Sequence, residues 1–208
     1  MEKINVYIDG PNLLGAVSDL RKKRLWLDPF RLSQRLIDTA TQTINNIFYA
    51  ETPYPENLHT PETFRKQQSF FGKIHIYLED RKVIHIKGNY RIDTSRVPFF
   101  IVNQLKPEIR NLVESLSWKK PIEKGGDVGL AVRLVRDAFR NEFGRAILVS
   151  ADQDFAPAVN IVLSDAKKKL SIAYVHNTYR NAMALRNRCP GVEFIQVTRK
   201  IIEACEVA

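Results

Sequence analysis

Short, mostly apolar runs alternate with longer amphipathic segments along almost the whole chain of 208 residues. The runs at 4–8 and 146–149 have the length and composition of buried strands. Residues 128–138 instead place apolar side chains at the three- and four-residue spacing of a helix. Regular alternation of such strands and helices predicts an α/β fold with a mostly parallel central sheet.

The same patterns predict the order of elements along the chain. The predicted strands are residues 4–8, 47–50, 82–87, 146–149, 170–175 and 193–197, and the predicted helices are residues 12–22, 28–43, 62–79, 108–116, 128–143, 155–168 and 181–188. The segment 62–79 also alternates like a strand near its end. We favour a helix because residues 62–68 include strong helix formers and a strand follows at once. No linker or repeat divides the chain, so we expect a single domain over 1–208 with an insertion at about 89–122.

The composition indicates a globular protein without a membrane anchor. Hydrophobic residues make up 44% of the chain, yet no run approaches the roughly 18 apolar residues that a membrane helix requires. The first strand follows Met1 too closely for a signal peptide. The cysteines, Cys189 and Cys205, fit neither a metal site nor a disulfide framework. The chain also lacks a glycine-rich phosphate loop. We therefore expect a cytoplasmic protein with no membrane association and no nucleotide cofactor.

The charge balance is strongly basic, with 32 lysines and arginines against 23 acids and a net charge of +9. Basic residues cluster at 21–24, 119–120, 167–169 and 180–188. Such clusters favour a polyanionic partner such as nucleic acid, whose phosphates bind Lys and Arg. Short basic runs are also common at solvated helix ends, so each cluster alone allows either interpretation.

Four aspartates stand where a predicted strand ends or a predicted helix begins. Asp9 follows the first strand, Asp127 precedes a helix, and Asp152 and Asp154 follow the strand at 146–149. In an open parallel sheet, the loops at the carboxyl ends of the strands converge on one crevice. Carboxylates gathered there would repel each other unless a divalent cation joined them. Oxygen ligands of this kind suit Mg²⁺ or Mn²⁺.

Each of these aspartates also has a purely structural interpretation. Asp9 begins an Asp-Gly-Pro-Asn sequence that is typical of turns, and the other three stand where helix caps are expected. However, three separate junctions all present aspartate, and the glycines at 125–126 let the backbone approach closely ahead of Asp127. We therefore favour one shared site over four independent caps.

Three motifs resemble the NYN domain family, a branch of the PIN-like nucleases, in the bacterial group related to the LabA proteins. They are YIDGPNL at 7–13, EKGGDVGLAVRLVRDAF at 123–139 and AILVSADQDFAPAV at 146–159. The third motif is the most specific, because an apolar strand is followed by Ser-x-Asp-x-Asp-Phe and then Pro. The resemblance covers nearly the whole chain, with residues 89–122 matching poorly.

The resemblance implies a Rossmann-like three-layer α/β/α sandwich of the PIN-like type. It also implies a catalytic group of four acids supported by one amide, namely Asp9, Asp127, Asp152, Asp154 and Asn12. Among these, Asp9, Asp127 and Asp154 are expected to bind Mg²⁺ or Mn²⁺. The implied activity is metal-dependent hydrolysis of phosphodiester bonds, with single-stranded RNA as the substrate by family analogy. The alternative is a non-catalytic RNA-binding or regulatory module on the same fold.

Basic residues near the predicted acids are candidates for holding the RNA backbone. We expect Lys124, Arg186 and Arg188 to contact its phosphates, so that affinity falls as salt rises. The sequence leaves the oligomeric state open, with a homo-oligomer among the possibilities.

The chain departs from the family pattern at two places. Pro11 stiffens the turn after the first acid, where relatives often have polar residues, and residues 186–191 lack an acid that many relatives carry before the last strand. Other families that process phosphate fit less well. A haloacid dehalogenase needs a second acid at the position of Pro11, a Toprim domain has Glu where this chain has Asp9, and a receiver domain needs adjacent acids there.

Overall fold

The computed structural model describes residues 1–22, 25–53, 60–81 and 83–207, and of residues 73–81 it describes only the backbone. Among these residues, six strands form a parallel central sheet. The strands in chain order are β1 (Glu2–Asp9), β2 (Gln42–Glu51), β3 (Val83–Lys87), β4 (Asn89–Arg96), β5 (Ser117–Lys124), β6 (Arg145–Val149), β7 (Lys169–Val175) and β8 (Glu193–Val197). The sheet has the order β3-β2-β1-β6-β7-β8, and every neighbouring pair is parallel. The strands β4 and β5 form a separate antiparallel pair.

Helices cover both faces of this sheet. They are α1 (Gly10–Arg21), α2 (Pro29–Arg35), α3 (Pro61–Arg81), α4 (Phe99–Val102), α5 (Pro107–Ser115), α6 (Gly126–Phe139), α7 (Ala156–Ser164), α8 (Tyr179–Arg188) and α9 (Arg199–Cys205). One buried cluster joins the sheet to α1, α2, α3 and α9, and a second cluster joins it to α6, α7 and α8. The predicted three-layer α/β/α fold with a parallel sheet is confirmed.

The side chains of β1 show how one strand supplies both layers. Ile4, Val6 and Ile8 are fully buried in the first cluster, whereas Tyr7 belongs to the second. Tyr7 stacks on Phe48 of β2, with 4.9 Å between the ring centroids. Because successive side chains of a strand point to opposite faces, a strand buried on both faces must be apolar almost throughout. This requirement explains why β1 was recognisable in the sequence.

The predicted helix at 28–43 is wrong over its second half. The helix α2 ends at Arg35, and the strand β2 already begins at Gln42. The intervening turn is held by Asp38, whose carboxylate accepts hydrogen bonds from Ala40 N and Thr41 Oγ1. A short polar side chain that binds its own backbone competes with helix formation, so the chain turns and enters the strand.

The segment from 89 to 124, hereafter the arm, is also more regular than its sequence indicates. Its two strands pair from Asn89 opposite Lys124 to Arg96 opposite Ser117, and α4 and α5 lie between them. The sequence predicts a helix near α5 but neither strand of the arm. Charged residues and Pro121 obscure the strand pattern of β5, and only pairing with β4 makes it a strand.

The remaining predicted elements agree with the structure to within a few residues, including the helix at 62–79, which is α3. The described residues do not include residue 82 of the predicted third strand, the basic residues 23–24 or residues 54–59. No helix in the described part of the chain is both long enough and apolar enough to cross a membrane.

Candidate active site

The neighbouring strands β1 and β6 end at the same edge of the sheet and bring their following residues together. Ile8 pairs with Val149, so that Asp9 and Ser150 are adjacent. Ser150 Oγ donates a hydrogen bond of 2.8 Å to Asp9 Oδ2. The same hydroxyl accepts from the backbone N–H of Asp152 at 3.0 Å. The serine thereby connects the first predicted acid to the loop that carries the third and fourth.

Asp9 and Asn12 fix the start of α1 against that loop. Asp9 Oδ1 accepts from Asn12 N at 3.1 Å, which makes Asp9 the N-cap of α1. The side-chain oxygen of Asn12 in turn accepts from Ala151 N at 3.3 Å. Asn12 therefore connects the start of α1 to the loop that follows β6.

The turn after β1 lies against β2 with no room for a side chain at Gly10. A Cβ atom at Gly10 would stand 2.3 Å from the carbonyl oxygen of Ala50 and 2.8 Å from the Tyr49 ring. Real atoms do not approach so closely, so the Asp-Gly sequence is required to bring Asp9 to this edge of the sheet.

Asp127 reaches the same edge from the first turn of α6. The arm ends at Lys124, and Gly125 then adopts the left-handed conformation, with φ of 90°, before α6 begins. Gly125 is the N-cap of α6 and makes no side-chain hydrogen bond, so the alternative role of Asp127 as a cap is wrong. Asp152, by contrast, caps the short turn that follows it by accepting from Asp154 N at 3.0 Å.

A fifth acid, Glu123, lies near Asp127. Its Oε1 accepts a hydrogen bond from Oγ1 of Thr52, the residue that directly follows β2. The backbone of this region is held in place by Gln67 of α3, whose amide donates to Thr52 O at 3.1 Å. The sequence carried one signal for this residue, because Glu123 opens the motif that contains Asp127.

The charges of these acids act on one another. Burial, together with the charges of Asp127 and Asp152, raises the pKa of Asp9 to about 7, against the lowering effect of its two hydrogen bonds. The pKa of Asp127 is raised by partial burial of its carboxyl and by the charges of Asp152 and Asp154, although its residue as a whole is exposed. Burial and the charge of Asp127 raise the pKa of Glu123, against the lowering effect of the hydrogen bond from Thr52. The five acids therefore form one electrostatic group.

The donor atoms of this group fit a hard divalent cation, because all of them are carboxylate oxygens. Within the described part of the chain, however, no three acidic, histidine or cysteine side chains converge closely enough to hold one ion. Mg²⁺ is commonly bound by only one or two carboxylates, with water and substrate phosphate completing its shell. The arrangement fits that mode of binding and does not fit a closed protein cage.

The three predicted basic residues are distributed unequally around the acids. Arg188 Nη1 lies 3.5 Å from the carbonyl oxygen of Gln153, within the loop between Asp152 and Asp154. Lys124 is exposed at the end of β5, next to the glycines that lead to α6. Arg186 is directed elsewhere, with its guanidinium carbon 5.6 Å from the centroid of the Phe194 ring.

Comparisons with known proteins identify the fold and the family of the chain. A crystal structure of a protein of unknown function from Vibrio parahaemolyticus RIMD 2210633 is similar, with a TM-score of 0.56 and 17% sequence identity over 99% of this chain and 96% of that one. This likeness concerns the fold alone. No curated protein matches the chain. The NYN domain matches residues 3–198, which include all five acids. The chain therefore belongs to the NYN domain family and, through it, to the PIN-like superfamily.

Proposed function

We propose that the protein is a Mg²⁺- or Mn²⁺-dependent nuclease that hydrolyses phosphodiester bonds of single-stranded RNA. NYN domains are generally nuclease-like. The observation that carries the proposal is the buried carboxyl of Asp9, whose pKa is raised to about 7 among the acids of two other elements. Perturbed acids gathered in this way are typical of functional sites.

In this proposal, Asp9, Asp127 and Asp154 would hold the cation, one or two of them directly and the rest through its water ligands. Asp152 borders the cation, and Asn12 keeps Asp9 in place. A bound Mg²⁺ or Mn²⁺ supplies an activated water and neutralises charge on the scissile phosphate. Glu123 is suited to accept a proton, because its pKa is raised and it is not one of the three metal ligands. Lys124 and Arg188 hold the flanking phosphates.

The sequence supports a second candidate, a non-catalytic RNA-binding module. The observation in its favour is that no three acidic, histidine or cysteine side chains among the described residues are already placed to hold one ion. The two candidates differ in whether the acids are needed for chemistry or only for the fold.

The test is to incubate labelled RNA, single-stranded DNA and duplex DNA with the protein in Mg²⁺, Mn²⁺ or EDTA. We expect cleavage of single-stranded RNA in either metal and none in EDTA. Asp9→Asn and Asp154→Asn should lower the cleavage rate by about 10²-fold or more, as loss of a catalytic group typically does. Asp165→Asn serves as the control, because Asp165 is exposed and its carboxylate, within the described structure, hydrogen-bonds only with the hydroxyl of its neighbour Ser164.

Metal binding should also be visible without substrate. Mn²⁺ should raise the melting temperature of the wild type, since a ligand that binds only the folded state stabilises it. Asp127→Asn should lose most of this increase, whereas Asp165→Asn should keep it. RNA binding without cleavage in any metal would support the non-catalytic module, and EDTA-resistant cleavage would contradict the proposed role of the cation.

A further inference from the structure

A cavity of about 400 Å³ opens beside the turn that follows Asp9. It lies on the opposite face of the sheet from α6, between α1, β2, α3 and the base of the arm. Gly10 and Pro11 line it, so it shares the Asp9 turn with the acidic group. Its size is within the range of pockets that bind small organic groups.

The walls of the cavity are largely aromatic and are held in place by packing. Trp26, Tyr49, Phe71 and Tyr90 line it. Trp26 stacks on Phe70 with 5.7 Å between the ring centroids, and Tyr49 meets the same ring edge-on at 6.3 Å. Rigid aromatic walls suit a flat ring, which can stack on them at low entropic cost.

Among the polar groups of the cavity wall, two buried oxygens have no hydrogen-bond partner within the described structure, namely Ser18 Oγ and Glu51 Oε2. Glu51 is only 3% exposed, and its other oxygen lies 3.0 Å from His85 Nδ1. A buried acceptor without a donor is costly, so a ligand that brings an N–H group would satisfy it.

The charges around the cavity determine which part of a nucleotide it can take. None of the described residues that line it is Lys or Arg, while Asp19 and Glu51 are acids. A phosphate group is therefore repelled from the interior, and an uncharged ring that carries hydrogen-bond donors is favoured.

We propose that this cavity binds an unstacked nucleobase of the RNA, with guanine preferred, while the adjoining phosphate lies at the acidic group. Single-stranded RNA is commonly recognised by stacking on aromatic side chains and by hydrogen bonds to base edges. Guanine presents two N–H donors on one edge, which match a carboxylate. Uracil presents a single N–H between two carbonyl groups, which a carboxylate repels. This inference rests on the proposed action on RNA.

The experiment uses nucleosides, which carry no phosphate, so its outcome does not depend on metal or cleavage. The chain has two tryptophans, and a Trp118→Phe background leaves Trp26 as the only indole reporter. Trp118 is 49% exposed on the arm and does not line the cavity. Guanosine and uridine are titrated in EDTA while Trp26 fluorescence is measured.

We expect guanosine to quench Trp26 fluorescence and to bind at least about tenfold more tightly than uridine. Losing one hydrogen bond to a charged group typically lowers affinity by about this factor. Glu51→Gln should remove this preference. Tyr90→Ala should lower the affinity for both nucleosides by about fivefold or more, because stacking on the Tyr90 ring is lost. Phe139→Ala is the control, because Phe139 is an exposed aromatic at the far end of α6.

Three outcomes would overturn the inference. They are no quenching by either nucleoside, equal affinity for guanosine and uridine, and unchanged affinities in a folded Tyr90→Ala protein. Near-UV circular dichroism establishes folding of each variant, and Tyr90→Ala decides the result if Glu51→Gln does not fold. A protein that binds guanosine without cleaving RNA would support the cavity and contradict the proposed nuclease, so the two failures are distinct.

Discussion

At the scale of single residues, two buried aspartates show what separates a structural acid from a candidate catalytic one. Asp137 is 1% exposed, and it accepts hydrogen bonds from Tyr7 OH at 3.0 Å and Arg133 Nε at 2.8 Å. A cation compensates for its burial. Asp9 is 2% exposed and has only neutral donors and other acids around it among the described residues. Its burial is not compensated, so its pKa rises.

The raised pKa of Asp9 predicts how stability depends on pH in the absence of metal. The ordinary value is 3.8 and the folded value is about 7, so between these pH values the folded protein keeps a proton that the unfolded chain has lost. Stability should therefore fall as pH rises through this window, by an amount on the order of a few kcal/mol. The raised pKa values of Asp127 and Glu123 act in the same direction.

Melting temperatures at pH 5 and pH 8 in EDTA measure this effect. Asp9→Asn should melt above the wild type at pH 8 and should show a weaker pH dependence. The matched control is Asp28→Asn, since Asp28 is also a buried N-cap, accepting from Phe30 N and Arg31 N, but lies beside Arg31. A wild type that is equally stable at both pH values would contradict the raised pKa.

At the scale of elements, the junction between β1 and α1 carries both candidate sites. Its residues include the N-cap Asp9, and its Gly10 lies against Ala50 of β2. The cavity opens on one side of this junction and the acidic group on the other. A change that displaces the junction should therefore affect both sites together.

Two glycines of α1 allow a direct test of this junction. Gly10→Ala should destabilise the fold by about 1–3 kcal/mol or more, because its Cβ would overlap Ala50 O. Gly15→Ala is the matched control, because no atom stands within 4 Å of the position that its Cβ would take. Since alanine stabilises a helix by about 1 kcal/mol relative to glycine, this variant should not be destabilised. Thermal or urea unfolding measures both, and equal stabilities would show that the turn tolerates a side chain.

At the scale of the whole molecule, an acidic group is set in a chain with a net charge of +9. The excess positive charge must lie outside the site, where it can attract a phosphate backbone. Binding and cleavage should therefore depend on different residues. We expect the acids to repel phosphate in the absence of metal, and we expect Lys124 and Arg188 to attract it.

RNA affinity measured by anisotropy in EDTA at several salt concentrations separates these contributions. Arg188→Ala should weaken binding and lower the salt slope by about 0.7, the value for one phosphate contact on a single strand. Arg140→Ala, an exposed arginine at the far end of α6, should change neither. Asp9→Asn should bind at least as tightly as the wild type. If both arginine variants lose the same affinity, the attraction is not localised at the site.

Much of the fold and of the candidate site was predictable because it depends on local patterns. The apolar run of β1 and the helical stripe of α6 are visible in the sequence, since burial on both faces or on one stripe dictates residue type. The placement of Asp9, Asp152 and Asp154 followed from one rule, that parallel strands end at the same edge. Motifs that lie far apart in the chain could thus be assigned to one region.

Only the tertiary structure decided the features that depend on contacts between distant residues. The two strands of the arm form because they pair with each other, starting with Asn89 opposite Lys124. The residues of either strand, taken alone, do not indicate a strand. Glu123, which interacts with Asp127, is held by a hydrogen bond from Thr52, 71 residues away in the chain. The raised pKa of Asp9 and the cavity beside it both result from packing of several elements around one turn. Composition and periodicity determine which faces are buried, but the environment of a buried group depends on which distant atoms surround it.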